Sequence, residues 1–201
     1  HQQIVSGVSV LAYWLSNLAV DFLKYLVPAS ATIVIMVAYD VTVYIGSGNL
    51  IVTLCLFGLF GLALMTFTYL LSFLFKSPSK AQFVIFLMNY LGGSILMVLS
   101  FILRILPSTR SIQLNFIEFI LRLFPIYSLS FGLFSMANAQ IWQMALQLDH
   151  FPGPWSRYCA LWSVIYLLLA GVAYFLVILF LEAKGNVLAQ SVATSTQDRL
   201  N

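Results

Sequence analysis

The chain has 201 residues, of which 62% are hydrophobic and only 7% charged, with a net charge of +3 and a mean hydropathy of +1.00. A soluble domain carries about 25% charged residues. This chain therefore cannot cover a water-facing surface, and its apolar mass is stable only where lipid replaces water. Nine basic residues, scattered one at a time between apolar runs, make no patch that neutralises a row of phosphates, which excludes a nucleic-acid partner.

The chain begins at His1 with no methionine and no basic-apolar-small leader, so it is expected to be cut from something longer. A helix needs about 20 mostly apolar residues to cross roughly 30 Å of hydrocarbon, where only its own hydrogen-bond ladder satisfies the backbone. Four stretches meet that requirement, at 11–39, 50–75, 81–103 and 160–181. Pro28 is expected to kink the first, and Asp40 with Gly46, Ser47, Gly48 and Asn49 to end it in a loop. Lys76, Ser77, Pro78, Ser79 and Lys80 separate the second from the third, and Pro152, Gly153 and Pro154 precede the fourth. Gly58, Gly61, Gly92, Gly93 and Ser94 are small residues of the kind that let helices approach closely in lipid. Cys55 and Cys159 read as packing residues rather than a disulfide framework.

Between the third and fourth spans lies 104–158. Ile112, Phe116, Phe119, Ile120 and Leu123 recur at helical spacing, with Gln113, Asn115, Glu118 and Arg122 on much of the remaining surface. That pattern predicts an interfacial or re-entrant helix. After Pro125 a second segment, 126–146, mixes apolar residues with serine, asparagine and glutamine, and the pair is expected to form a helical hairpin that enters and leaves by one face. The alternative is a fifth span. The fold class expected is thus an all-α membrane protein, one domain of four transmembrane helices with an extracellular re-entrant hairpin before the last. Lys76, Lys80, Lys184 and Arg199 fall on one side and Arg104, Arg110, Arg122 and Arg157 on the other, with Lys24 inside a span. The tally is even, but short loops carry the positive-inside rule best, so the loop at 76–80 is placed in the cytoplasm. Tyr13, Trp14, Tyr25, Trp142, Trp155, Tyr158 and Trp162 lie near segment ends, as an aromatic belt would.

No catalytic constellation is visible. His1 and His150 lack acidic partners at metal-ligand spacing within a span, and the phosphate-loop motif is absent, so no catalytic, cofactor-binding or metal residue is assigned. Asp21 and Lys24 are opposite charges three residues apart within a span, on the helical face that also carries Asn17. A charge at the bilayer centre costs about 2.5 to 3.5 kcal/mol, so these three residues are the candidate intramembrane polar site. The competing expectation places the pair near the cytoplasmic end of the helix, where Lys24 snorkels.

The opening His1-Gln-Gln-Ile-Val-Ser-Gly-Val-Ser, then Tyr13-Trp-Leu-Ser-Asn17 and Asp21, resembles the third membrane helix in the second half of A-subfamily ABC transporters. The likeness continues through Pro28-Ala29, Phe75-Lys-Ser-Pro-Ser79 and the stretch from Phe124-Pro125 to Gly132-Leu133, which resembles that family's extracellular hairpin. Val20 departs from it, standing where the family often has tryptophan. The resemblance implies part of a type-2 exporter membrane domain, its third to sixth helices. Its partners would be the bilayer, the other transmembrane half, nucleotide-binding domains outside this chain that hold ATP and Mg²⁺, and a lipid or amphipathic substrate. A secondary transporter or channel subunit without an ATPase motor is the other reading of a polytopic chain. An enzymatic activity of this chain alone is not expected.

Overall fold

A computed structural model describes residues 9–46, 48–75, 77–106, 108, 117–145, 147 and 153–200. The expectations that rest on His1, Ser47, Lys76, Arg110, Ile112, Gln113, Asn115, Phe116, His150 and Pro152 lie outside these residues.

The described residues form helices α1 (Val10–Ala38), α2 (Thr42–Ile45), α3 (Asn49–Ser72), α4 (Pro78–Tyr90), α5 (Met97–Ile105), α6 (Glu118–Leu121), α7 (Pro125–Ala137), α8 (Ala139–Ala145) and α9 (Leu161–Leu200). A π-helical segment, Leu91–Leu96, joins α4 to α5 without a break. Four continuous helices are long and apolar enough to cross a membrane: Val10–Ala38, Asn49–Ser72, Ser79–Ile105 and Leu161–Gly185. They coincide with the four expected spans to within a few residues, because length and hydropathy decide a span before any packing does.

Local chemistry sets the helix ends. Ser9 Oγ accepts the Ala12 amide at 3.3 Å and caps α1. α1 then runs unbroken through Pro28, whose carbonyl accepts the Thr32 hydroxyl at 2.9 Å. Pro78 and Pro125 open α4 and α7 in the first turn, where the missing amide has no helical partner to lose. The loop at 40–49 holds the short α2. Asn49 Nδ2 donates to the Val43 carbonyl at 2.8 Å and Thr53 Oγ1 to that of Tyr44 at 2.9 Å, tying the loop to the start of α3. Gly48 caps α3 at a φ of 88°, in the left-handed region that glycine tolerates. At the other end of the chain, α9 does not stop at Glu182 to Gly185 as the sequence suggested. It continues to Leu200, 40 residues or about 60 Å, twice what a bilayer needs.

Burial is uneven in a way that reflects the solvent. Of the 29 residues of α1 only Ala29 is buried. By contrast α7 buries Pro125, Tyr127, Ser128, Leu129, Phe131, Gly132, Ser135 and Met136 against α3, α9, α2 and the π segment. One apolar cluster joins Val52, Leu56, Phe60 and Ala63 of α3 to Leu129, Met136, Cys159, Ala160 and Leu167. A second gathers Tyr127, Phe131 and Trp142 against Leu96, Met97, Phe101 and Ile105. α7 approaches its neighbours so closely that a Cβ on Gly132 would lie 3.0 Å from that of Ser163, and one on Gly93 would lie 2.9 Å from Ile126 Cγ1. The expectation of close packing holds at Gly61, Gly92 and Gly93. Gly58 is a correction, since a Cβ there would meet nothing within 4 Å.

The segment before α7 inverts the expected amphipathic reading. Phe119, Ile120 and Leu123 are exposed, at 57%, 42% and 44%, whereas Glu118 and Arg122 are buried. In lipid an apolar side chain loses nothing by facing outward, while a charge must turn inward to find a partner. The chain turns at 122–124 and enters α7, forming a helix pair joined at Pro125. At this turn the Leu123 carbonyl accepts the Tyr174 hydroxyl, and the Phe124 ring meets Phe67 edge to face at 6.1 Å. Tyr174 lies 13 residues after Leu161, about 20 Å along the axis of α9, so the turn sits well below the start of that helix.

Candidate functional site: a buried charge network

The expected polar site is assembled only in part. Lys24 Nζ lies 3.1 Å from Asp21 Oδ1, so the ion pair forms, but its side chains are 72% and 39% exposed. The Tyr69 hydroxyl of α3 donates to Asp21 Oδ2, linking α1 to α3. Trp14 packs on Tyr69 and Phe73, with ring centroids 5.4 and 6.0 Å apart, near the end of α3. Asn17 is half-buried one turn before Asp21. The pair stands at the middle of α1, largely exposed, and is not the buried site that a charge deep in the bundle would need.

The buried charges lie elsewhere. Arg122 places Nε and Nη2 on Glu118 Oε1, at 2.9 and 2.6 Å, and Nη1 on Ser163 Oγ of α9 at 2.8 Å. Arg104, in the last turn of α5, holds Nη1 3.5 Å from Glu118 Oε2. The side chains of Arg104, Glu118 and Arg122 are 3%, 8% and 2% exposed. Both guanidiniums also pack on aromatic faces. That of Arg104 lies 4.7 Å from the Trp142 ring and 5.5 Å from Phe131, and that of Arg122 lies 5.2 Å from Phe131 and 5.8 Å from Tyr166. Such contacts offset part of the cost of taking a cation out of water. The network thus ties five elements together: α5 through Arg104, the segment around α6 through Glu118 and Arg122, α7 through Phe131, α8 through Trp142, and α9 through Ser163.

Two neighbouring hydroxyls find local partners. Ser128 Oγ donates to the Arg122 carbonyl at 2.8 Å, and the Tyr127 hydroxyl to Ser100 Oγ at 2.8 Å. Cys159, expected to pack, does so: it is a buried thiol outside any disulfide that donates to the Ser135 carbonyl at 3.9 Å. Burial pushes that thiol up to about 11, with the Arg104 guanidinium opposing the shift. Trp142, grouped by sequence with the aromatic belt, is instead completely buried over Arg104. Among the described residues no group of histidine, cysteine, aspartate and glutamate could hold a metal ion. The arrangement holds charge and position and offers no nucleophile beside a base.

Sequence reasoning passed over this network although two signals for it were present. Glu118 and Arg122 are four residues apart, the spacing that pairs opposite charges on one helical face. Arg104 follows directly on an apolar span, where an ionisable residue asks for a partner. Counting Arg104 and Arg122 as loop charges concealed both.

Four apolar spans around an inward-facing charge network define the membrane domain of a polytopic integral membrane protein. Residues 1–180 match the family described as ABC-2 family transporter protein, and the chain belongs to that family. It is 32% identical over 139 residues to human ATP-binding cassette sub-family A member 2, covering 68% of this chain and 6% of that protein. It is 36% identical over 115 residues to the rat phospholipid-transporting ATPase ABCA3, covering 57% of this chain and 7% of the relative. To the mouse retinal-specific phospholipid-transporting ATPase ABCA4 it is 28% identical over 190 residues, 90% of this chain and 8% of the relative. The chain therefore spans less than a tenth of the length of these relatives, and it resembles A-subfamily members in its membrane part.

Proposed function

We propose that the chain is the transmembrane part of an ATP-driven ABC transporter that moves lipids or other amphipathic molecules, with ATP and Mg²⁺ bound by nucleotide-binding domains outside this chain. The observation that carries the reading is membership of the ABC-2 transporter family over residues 1–180. The bundle's geometry is compatible with an apolar cargo. A cavity of about 200 Å³ between α1, α3 and α9 is walled by Leu15, Leu18, Leu59, Leu62, Leu167 and Phe175. An ion stripped of water would need several polar ligands there, and Thr66, which also lines the cavity, brings one hydroxyl that already donates to the Leu62 and Ala63 carbonyls.

In this reading the helix pair around Pro125 is a re-entrant hairpin entering from the extracellular face. The depth of its turn beside Tyr174 supports that placement. So does the charge count: with Arg104 and Arg122 inside the bundle, the basic residues left between the third and fourth spans are Arg110 and Arg157, against Lys76, Lys80, Lys184 and Arg199 beyond the opposite span ends in sequence. The excess favours a cytoplasmic loop at 76–80 and cytoplasmic chain ends. The extension of α9 beyond Gly185 then leads toward the motor domain. The buried network is a positioning device: a paired charge set in lipid admits few arrangements, so it fixes the hairpin against α5 and α9. Full-length protein in liposomes should hydrolyse ATP at a rate set by the lipids supplied, and truncation at Asn201 should abolish hydrolysis while leaving the helices inserted. Hydrolysis indifferent to lipid and stimulated by a soluble solute defeats the lipid assignment.

A further inference from the structure

The helix Ser79–Ile105 changes character at its π segment. From Ser79 to Tyr90 no residue is buried, whereas beyond Leu96 the face that carries Met97, Ser100, Phe101, Arg104 and Ile105 lies on α7 and α8. We propose that Leu91–Leu96 is a two-state joint: in its π form it seats α5 on α7 and α8, and in an α form it turns α5 off that seat. The inference rests on the transport reading for the cycle that the joint serves, but not for its geometry.

Three observations carry it. A π turn closes its hydrogen bonds one residue later than an α turn, and it persists inside a helix only where its surroundings hold it. Here the start of α7 does so. A Cβ on Gly92 would lie 3.1 Å from Ile126 Cγ2, and one on Gly93 would lie 2.9 Å from Ile126 Cγ1 and 3.3 Å from Ser130 Oγ, so Ile126 is wedged against the bare backbone of the widened turn. Second, the α alternative is weakened but accessible. Glycine is the poorest helix former after proline, and two in succession bring the turns close in energy. Tyr90 and Met97 keep helical backbone angles on either side, so the ladder can take up the extra residue without a break. Third, the change has a defined output. Closing the turn to α shifts everything after it by one residue's step, about 100° and 1.5 Å. That step carries off three contacts together: the Tyr127 hydroxyl on Ser100 Oγ at 2.8 Å, the Phe101 ring against Phe134 and Trp142 at 4.7 and 5.0 Å, and the Arg104 guanidinium over Trp142 at 4.7 Å. Contacts that are made or lost as a set favour two discrete positions over a continuum.

The test is the distance between spin labels in the full-length protein, freed of its other reactive cysteines and measured by double electron–electron resonance without nucleotide and with ATP and orthovanadate. Labels on Tyr39→Cys and Ile102→Cys, both at exposed positions, should show two distances whose proportions change with nucleotide. Labels on Tyr39→Cys and Met144→Cys, which do not report on α5, should show one. Ile126→Ala removes the wedge and should raise the ratio of the second distance to the first about tenfold or more. Deletion of Ile95, which faces outward, closes the turn to α with α5 still seated, so the second distance should vanish. One distance unchanged by nucleotide and by Ile126→Ala overturns the joint, as does a second distance that survives the deletion. Should the shortened chain fail to fold, the response to Ile126→Ala decides alone. ATP hydrolysis is followed on the same samples. Two distances that answer to Ile126→Ala in a protein that hydrolyses no ATP remove the transport reading and leave the joint, and a single fixed distance in a protein that hydrolyses ATP does the reverse.

Discussion

Removing the charge of Glu118 isolates the role of the buried network. In the folded chain its Oε1 accepts two bonds from Arg122, at 2.9 and 2.6 Å, and its Oε2 faces Arg104 at 3.5 Å, with all three side chains under 10% exposed. Glu118→Gln keeps the size but leaves two guanidiniums facing one neutral amide, whose NH₂ end points a donor at further donors. Breaking a buried pair by removing one partner costs about 3 to 5 kcal/mol, since the surviving charge stays desolvated. Arg122 loses its charged partner at Oε1 and Arg104 its ionic contact at Oε2, so a loss within that range is expected. The same reasoning makes the triple change Arg104→Met, Glu118→Leu, Arg122→Met far milder than the single one, because no charge remains to strand. Reversible unfolding in mixed detergent micelles, followed by Trp142 fluorescence, measures both. A loss below about 1 kcal/mol for Glu118→Gln, or a triple variant less stable than the single one, would refute the claim that the network is a coupled, desolvated set.

The Asp21–Lys24 pair should behave differently: a double-mutant cycle with Asp21→Asn and Lys24→Gln should give a coupling under about 1 kcal/mol, since the pair is largely exposed. Gly93→Ala should cost about 1 to 3 kcal/mol by driving a Cβ to 2.9 Å from Ile126 and 3.3 Å from Ser130 Oγ, whereas Gly58→Ala, facing open space, should be neutral or stabilising by thermal shift. Cys159 should resist alkylation up to pH 9. Between the ordinary 9.0 and about 11 the native state keeps a proton that the unfolded chain has released, so stability falls as pH rises through that window. Cys159→Ala should remove that part of the slope in pH-dependent unfolding. In a background lacking Cys55 and Cys159, cysteines placed at Ser79 and Ser156 should label from opposite faces of the membrane, and labelling of both from one face rules out four spans.

The spans were legible because hydropathy and length act locally. Leu50 to Phe75 needs no knowledge of its neighbours to be recognised, and the observed helix Asn49–Ser72 differs only at its ends. The network was not, for a reason of solvent. Phe119, Ile120 and Leu123 repeat at helical spacing whether the helix turns them toward protein or toward lipid, so periodicity fixes the stripe but not its direction. Only the rule that charges face inward in lipid chooses between the two, and it turns Glu118 and Arg122 into the bundle. Ser163 and Trp142, distant in sequence, join the site through the packing of α7 and α9, which no local pattern encodes. The π segment at Gly92 and Gly93 is similar: the small residues announce a close approach, but that Ile126 fills it is a tertiary fact.

The proposed ATP-driven movement of lipid through this membrane domain is tested by transbilayer movement of a headgroup-labelled phospholipid by the full-length protein in sealed liposomes. Movement should require hydrolysable ATP and be reduced by Glu118→Gln under conditions where the variant remains folded. Movement independent of ATP, or ATP-driven uptake of a soluble ion with the labelled lipid left in place, would contradict it.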